Sequence, residues 1–320
     1  MFCCGLGLGI DRPDRPMAVI ERQIVMIYLK LLLTAFFWGG TFIAGKGLAG
    51  HVHPFCAAFL RFSIASFFLV ILVIRQEGRL PRLYGRDVLL VLVSGSTGIF
   101  AYNLFFFSGL TMINANRAAL IIATNPIFIS LFSALIFKER LTPLKIIGLV
   151  LSVSGALIII TGGDIGQIFK TGLSRGEMAI FGCVFSWVSY SLLGRPLTAR
   201  FSALVSVCYS SLAGTLMLFF PAVSKGLFSA LPEYGMLEWV SLFYLGCFGT
   251  VLGFYWYYQG IKEIGPTKSG VFINFVPVSA LILSYFILNE PVTMQILAGA
   301  GLVVTGVYIT NLSVFLGKNR

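Results

Sequence analysis

Apolar runs of roughly twenty residues succeed one another from residue 24 to residue 316, broken by short polar connections. Runs of that length are candidate transmembrane helices. Ten are expected, over 24–45, 54–74, 88–110, 115–137, 144–161, 177–197, 201–224, 237–261, 266–288 and 293–316. Most connections are very short, so consecutive helices should be antiparallel neighbours. The longest central connection, 162–176, separates five spans from five, and 317–320 form a short tail. Residues 1–23 lack the apolar core and cleavage pattern of a signal peptide. They read as a disordered extension outside the fold, with Met17 as the true start.

The same pattern is written twice. Shifted by 151 positions, residues 95–158 lie on 246–309 without a gap. Gly95, Gly98 and Gly109 fall on Gly246, Gly249 and Gly260; Pro126 falls on Pro277; Glu139 and Thr142 fall on Glu290 and Thr293. Gly148 and Gly155 fall on Gly299 and Gly306. An upstream piece repeats at a shift of 149, which carries Trp38, Gly45 and Lys46 onto Trp187, Gly194 and Arg195. Glycines, a proline and an acid have backbone and packing roles, so apolar composition alone does not explain these matches. The chain reads as a tandem duplication, with one repeat over 24–161 and the other over 177–316.

Composition sharpens this picture. The chain is 58% hydrophobic and 11% charged, with mean hydropathy +0.93, against about 25% charged in an ordinary globular chain. The net charge of +11 sits in the connections between spans rather than along one polar face, which argues against nucleic-acid binding and reports membrane orientation instead. With the N-terminus inside, sixteen Lys and Arg fall on the cytosolic side and five outside. Both termini are therefore expected in the cytosol. Because each repeat has an odd number of spans, the second must enter the membrane from the opposite side to the first. The expected fold is an all-α integral membrane protein of ten transmembrane helices in two inverted five-helix repeats, an architecture frequent among secondary transporters.

Trp38-Gly39-Gly40-Thr41-Phe42 ends the first span, and Pro54 with Arg61-Phe62 marks the second. Gly109-Leu110, Pro126, Glu139-Arg140-Leu141-Thr142, Gly148 and Gly155 follow, and the second copy repeats the later part with Pro277, Glu290, Gly299 and Gly306. This combination resembles the drug/metabolite transporter superfamily, EamA type, over about residues 27–312. The Asn289-Glu290-Pro291 turn and Ser269 depart from the usual pattern. The resemblance implies ten helices in two inverted repeats and movement of small metabolites or drugs, without naming one substrate. A multi-pass location in a bacterial inner membrane is expected.

Candidate chemistry lies within the spans. Pro126 and Pro277 sit near the centres of the fourth and ninth, where each frees the carbonyl four residues back. Asn125 and Asn274 accompany them within a turn. Interruptions at matching places in two halves point to a midplane site; packing kinks whose amides bond to a neighbouring helix are the other reading. Arg61 lies roughly 10 Å along its helix from Pro54, where a cation costs about 2.5 kcal/mol or more. It either snorkels or pairs, or it meets an anionic group of a substrate. Lys30 is expected to snorkel to the cytosol. Trp38 and Trp187 line a central cavity or pack. Asn103 is polar at depth, whereas most aromatics of 102–107 and 254–258 are expected in interfacial belts or against lipid. Small residues on the fifth and tenth spans suit close helix packing, within one chain rather than at a dimer seam, so a monomer or weak homodimer is expected. Glu139 and Glu290 are expected to cap the helices that follow them.

No phosphate-cradling Gly-rich loop is present, and all twelve acids lie at span ends or in connections, leaving no mid-span proton relay. The six cysteines, with His51 and His53, form no metal spacing, and no cofactor is implied. A small-molecule carrier acting by facilitated diffusion or exchange is the favoured reading, with the lipid bilayer as its other partner. A channel would need a continuous polar lining. An intramembrane enzyme would need a catalytic constellation, and Gly162-Gly163-Asp164 has no second Asp.

Overall fold

A computed structural model describes residues 17–48, 50–110, 112, 121–161, 174–288 and 293–316. The regular structure of the described residues is entirely helical. In chain order, α1 is Met17–Leu48, α2 Pro54–Glu77, and α3 runs Arg86–Gly95, a π-helical stretch Ser96–Ala101, then Tyr102–Leu110. Helices α4 (Asn125–Phe137), α5 (Pro143–Thr161), α6 (Arg175–Arg200) and α7 (Ala203–Ser224) follow. Helix α8 joins Met236–Tyr244, a π-helical Leu245–Leu252 and Gly253–Ile264. Helix α9 joins Pro266–Val271, a 3-10 turn Phe272–Asn274 and Phe275–Leu288, and α10 is Met294–Leu316. Seven of the described helices are long and apolar enough to cross a membrane, and three shorter apolar ones are Asn125–Phe137, Pro143–Ile158 and Leu297–Asn311. Since α1 opens at Met17, residues 17–23 are its first turns rather than part of an extension.

Local chemistry sets the boundaries. Helix α2 starts with His53 accepting from the Phe55 N–H and Pro54 in the first turn, and stops at Gly78, whose φ of 76° allows its N–H to reach the Ile74 carbonyl. A capping box opens α6: the Ser174 hydroxyl accepts from the Glu177 N–H, and the Glu177 carboxylate accepts from the Ser174 N–H at 2.6 Å. Pro126 and Pro277 lie in the first turns of α4 and of the last segment of α9. They follow breaks at Ala123-Thr124 and at the 3-10 turn, so they restart helices rather than bend continuous ones.

Equivalent positions of the two sequence copies make equivalent contacts. The π-helical stretches of α3 and α8 overlap under the 151 shift. A Cβ at Gly246 would meet Ile64 and the Arg61 carbonyl; at Gly95 it would meet Ala213 and the Ser210 carbonyl, residues offset from the first pair by 149. On α5 and α10 a Cβ at Gly148 would lie 2.5 Å from the Gly306 carbonyl, and one at Gly155 would lie 2.5 Å from the Gly299 carbonyl. The absence of side chains lets these two backbones touch. Helices α2 and α7 also run antiparallel: Cys56 reaches the Ala222 carbonyl, Phe59 faces Phe219, Ser66 bonds Thr215 at 3.1 Å, and Ser202 bonds Glu77. The core contains Phe62, Leu69, Tyr190, Tyr257 and Tyr258, while large apolar side chains such as Phe220 and Phe286 (each 74% exposed) form the outer surface. Such a surface suits hydrocarbon rather than water.

Candidate functional site: an aromatic cluster around Arg61

The two repeat-equivalent tryptophans meet. The Trp38 and Trp187 ring centroids are 5.3 Å apart and nearly perpendicular. Around them stand Phe254 and Tyr257 from α8, Tyr102 from α3 and Tyr190 from α6, all with centroids within 6.0 Å of one tryptophan or the other. Edge-to-face and tilted pairs at such distances are favourable beyond area burial. The Trp38 indole N–H donates to the Gly249 carbonyl at 2.9 Å, inside the π-helical stretch of α8. The Trp187 indole N–H is buried without an accepting partner of normal geometry.

Arg61 enters this cluster from α2. Its Nε donates to Thr250 Oγ1 at 2.8 Å, while the Thr250 hydroxyl donates to the Leu245 carbonyl at 3.0 Å, five residues back in the π-helical stretch. The guanidinium carbon lies 5.1 Å from the Phe62 ring centroid and 6.0 Å from that of Phe254, within cation–π range. No described carboxylate forms an ion pair with Arg61. Asp87 pairs with Arg200 at 2.6 Å, Glu139 with Arg195 at 3.2 Å, and Glu238 lies 3.7 Å from His51.

Two glycine notches, equivalent under the repeat, flank the cluster. At Gly98 a Cβ would lie 2.1 Å from the Tyr190 ring; at Gly249 it would lie 2.8 Å from the Thr41 methyl and 3.7 Å from Arg61 Nη2. Thr41 is the 149-shift counterpart of Tyr190, and Arg61 of Ser210. Ser210 belongs to a closed polar cluster, donating to Ser94 at 2.9 Å, with Ser94 3.3 Å from the Tyr258 hydroxyl. Tyr258 in turn donates to the Tyr190 carbonyl at 3.0 Å, and Tyr257 bonds Ser191 at 2.9 Å.

Other expected site residues stand apart. Asn103 is buried and donates to the Ile99 carbonyl of its own helix. Asn274 donates to Ser152 on α5 at 3.0 Å, and the side-chain carbonyls of Asn125 and Asn274 are buried without partners. Among the described residues, no hydrogen bond joins these three asparagines to the Trp38–Trp187 cluster. A crevice too narrow for a water molecule runs beside Trp38, lined by Thr34, Tyr257, Ser269 and Ile273 among others, and the Thr34 and Ser269 hydroxyls are buried without partners. A larger groove of about 670 Å³, between α2 and α8, is lined by Ile64, Phe67, Phe68, Trp239, Val240 and Phe243 with Ser63; it holds no charge and lies on the apolar exterior.

Two expectations need correction. Phe254, Tyr257 and Tyr258 are buried, not belt residues; their spacing is one face of a helix. Glu139 does not cap α5 but bridges two other helices, bonding Arg195 on α6 and Thr267 Oγ1 on α9 at 2.7 Å. Lys30, half-exposed, donates to Gln259 on α8 at 2.9 Å. Glu290 lies outside the described residues. Thr250 and Gly249 were not expected; the duplication pointed at Gly249 only as a packing residue.

Residues 25–161 and again 174–312 match the model of the EamA-like transporter family. A Bacillus subtilis (strain 168) protein named Uncharacterized transporter YyaM is 31% identical over 281 residues, covering 88% of this chain and 92% of that protein. A Streptantibioticus cattleyicolor protein named Probable terminal-alkyne amino-acid exporter is 28% identical over 298 residues, with 91% and 94% covered. A solved crystal structure superposes with a TM-score of 0.73 at 24% identity, covering 90% of this chain and 98% of that one, and so shares the fold.

Proposed function

The chain belongs to the EamA-like transporter family of integral membrane proteins, and from that premise we propose a secondary transporter that moves a small amphipathic solute, such as an amino acid, by alternating access. The pathway runs through the Trp38–Trp187 cluster between two inverted five-helix repeats, 24–161 and 177–316. Both termini lie in the cytosol.

One observation carries the reading: repeat-equivalent residues meet each other. Trp38 faces Trp187, Ser66 faces Thr215, and Gly148 and Gly155 approach Gly306 and Gly299 in crossed order. Contacts of that kind are self-complementary, as across a two-fold axis. Antiparallel running of the mates α2–α7 and α5–α10 supports an axis in the membrane plane, so that one conformation and its mirror open to opposite sides. Helix breaks before Pro126 and Pro277 support a site near mid-membrane. The relative named as an amino-acid exporter supports the solute class. In this setting Arg61, Asn103, Asn125 and Asn274 are polar groups available to a pathway through the centre.

Counterflow in proteoliposomes tests the mechanism. Unlabelled solute inside should accelerate entry of labelled solute outside; an equal rate with empty vesicles would point to a channel, and conversion of the solute to an intramembrane enzyme. Topology is tested separately by labelling single cysteines at positions 112 and 262. Labelling of both from one face would remove the inverted-repeat account.

A further inference from the structure

The two glycine notches differ in what fills them, and the difference defines a ligand. At Gly98 the notch is stoppered by the Tyr190 ring. At Gly249 it is filled by the smaller Thr41, whose methyl lies 2.8 Å from the Cβ position, and Arg61 Nη2 borders it at 3.7 Å. Thr250 occupies the Nε of Arg61, which leaves the edge formed by Nη1 and Nη2 as a fork without a partner among the described residues. Phe62 and Phe254 hold the guanidinium plane, and the Thr250 hydroxyl is itself fixed by the Leu245 carbonyl. A planar fork, anchored at one nitrogen and flanked by rings, matches the two oxygens of a carboxylate. A cation set in the bilayer without a counter-charge is costly, and the described acids that form ion pairs do so with other residues.

We propose that the transported solute is an organic carboxylate, its two oxygens received by the Nη1–Nη2 edge of Arg61 and its apolar body lying against Trp38, Tyr102 and Phe254. This deepens the transporter reading and rests on it. The cluster offers aromatic faces and hydroxyls but no carboxylate for an ammonium group. The carboxylate is therefore required and an α-ammonium is dispensable. An amino acid is taken as a carboxylic acid first.

The test is a thermal-shift and binding series on the purified full chain with four probes of one shape: 3-phenylpropanoate, L-phenylalanine, 3-phenylpropanamide and 2-phenylethylamine. Hexanoate and L-leucine extend the apolar body. A ligand that binds the folded state raises the midpoint. Carboxylates should do so, and the amide and the amine should not. In R61Q carboxylate affinity should fall by about tenfold or more. R61K keeps the charge without the fork and should lose less. T250V retains Arg61 but removes its anchor, so it should also weaken carboxylate binding, which guards against misfolding of any one variant. Equal shifts from amide and carboxylate, a carboxylate shift that survives in R61Q, or no shift from any carboxylate overturns the proposal. Counterflow separates the two levels. If the amine or amide exchanges while carboxylates do not, the carrier stands and the anion receptor falls; if nothing exchanges, the carrier reading falls as well.

Discussion

At Gly98 and Gly249 the same backbone notch has two fates. Around the first, Tyr190, Tyr258, Ser94 and Ser210 close into a packed, hydrogen-bonded cluster. Around the second, threonine replaces tyrosine, arginine replaces serine, and a cation borders the notch. The glycines are retained in both because the neighbouring helix leaves no room for a Cβ. What differs is the set of side chains allowed to specialise. Duplication supplies the frame, and on the proposed reading departure from the duplicate supplies the chemistry.

Stability should break this comparison most visibly at the stoppered notch. Tyr190→Ala empties a fully buried position and should cost about 3–5 kcal/mol, read as a fall in the unfolding midpoint in detergent. Thr41→Ala, at the equivalent place, should cost about 1 kcal/mol or less. Similar losses at the two positions would mean that the notches are equally packed.

Next in size is the glycine crossing of α5 and α10, where the copies should behave alike. Gly148→Ala and Gly306→Ala each drive a Cβ into backbone and should each lose about 1–3 kcal/mol. Gly301→Ala, with nothing within 4 Å of its Cβ position, should leave the midpoint unchanged or slightly higher. A loss confined to one member of the pair would deny the self-complementary contact.

The tryptophans should separate more modestly. Trp38→Phe removes the donor to the Gly249 carbonyl and should cost about 0.5–1.5 kcal/mol. Trp187→Phe removes an N–H that makes no hydrogen bond of normal geometry and should cost less, by the same midpoint measurement.

The smallest expected effect is a pH dependence at the start of α2. His53 accepts from the Phe55 N–H, and its pKa is lowered from the ordinary 6.5 by burial first and by Lys225 second. A folded-state pKa below the unfolded one favours the neutral ring in the native protein. This contribution is complete above about pH 6.5 and is lost as pH falls through the folded value. Thermal midpoints at about pH 7.5 and about pH 5.5 should drop further for the parent protein than for His53→Asn, whose amide caps without titrating. Identical slopes would remove His53 as a contributor.

Much of the frame was legible in the sequence. Apolar run length located most of the described helices, and the matched glycines fall at the close contacts of α5 with α10. The shift of 149 named the tryptophans that touch. The site was less legible because its members come from helices whose facing depends on π-helical turns that leave no mark in composition. Tyr102 and Phe254 sit in unbroken aromatic stretches, where only the fold decides which rings point inward. Thr250 became visible only through the Arg61 Nε that it holds. Glu139 looked like a local cap because its partners, Arg195 and Thr267, come from the other copy.

The crossing of α5 and α10 has a mechanical corollary. A junction that looks the same after its two helices are exchanged resists tilting equally in either sense, so it can serve as a fulcrum but not as a spring. Any preference for one tilt must originate in residues that have no twin, and Arg61, whose counterpart in the other copy is Ser210, is a charged one of these beside the tryptophans. On the proposed carrier reading, whatever neutralises it also tips the balance.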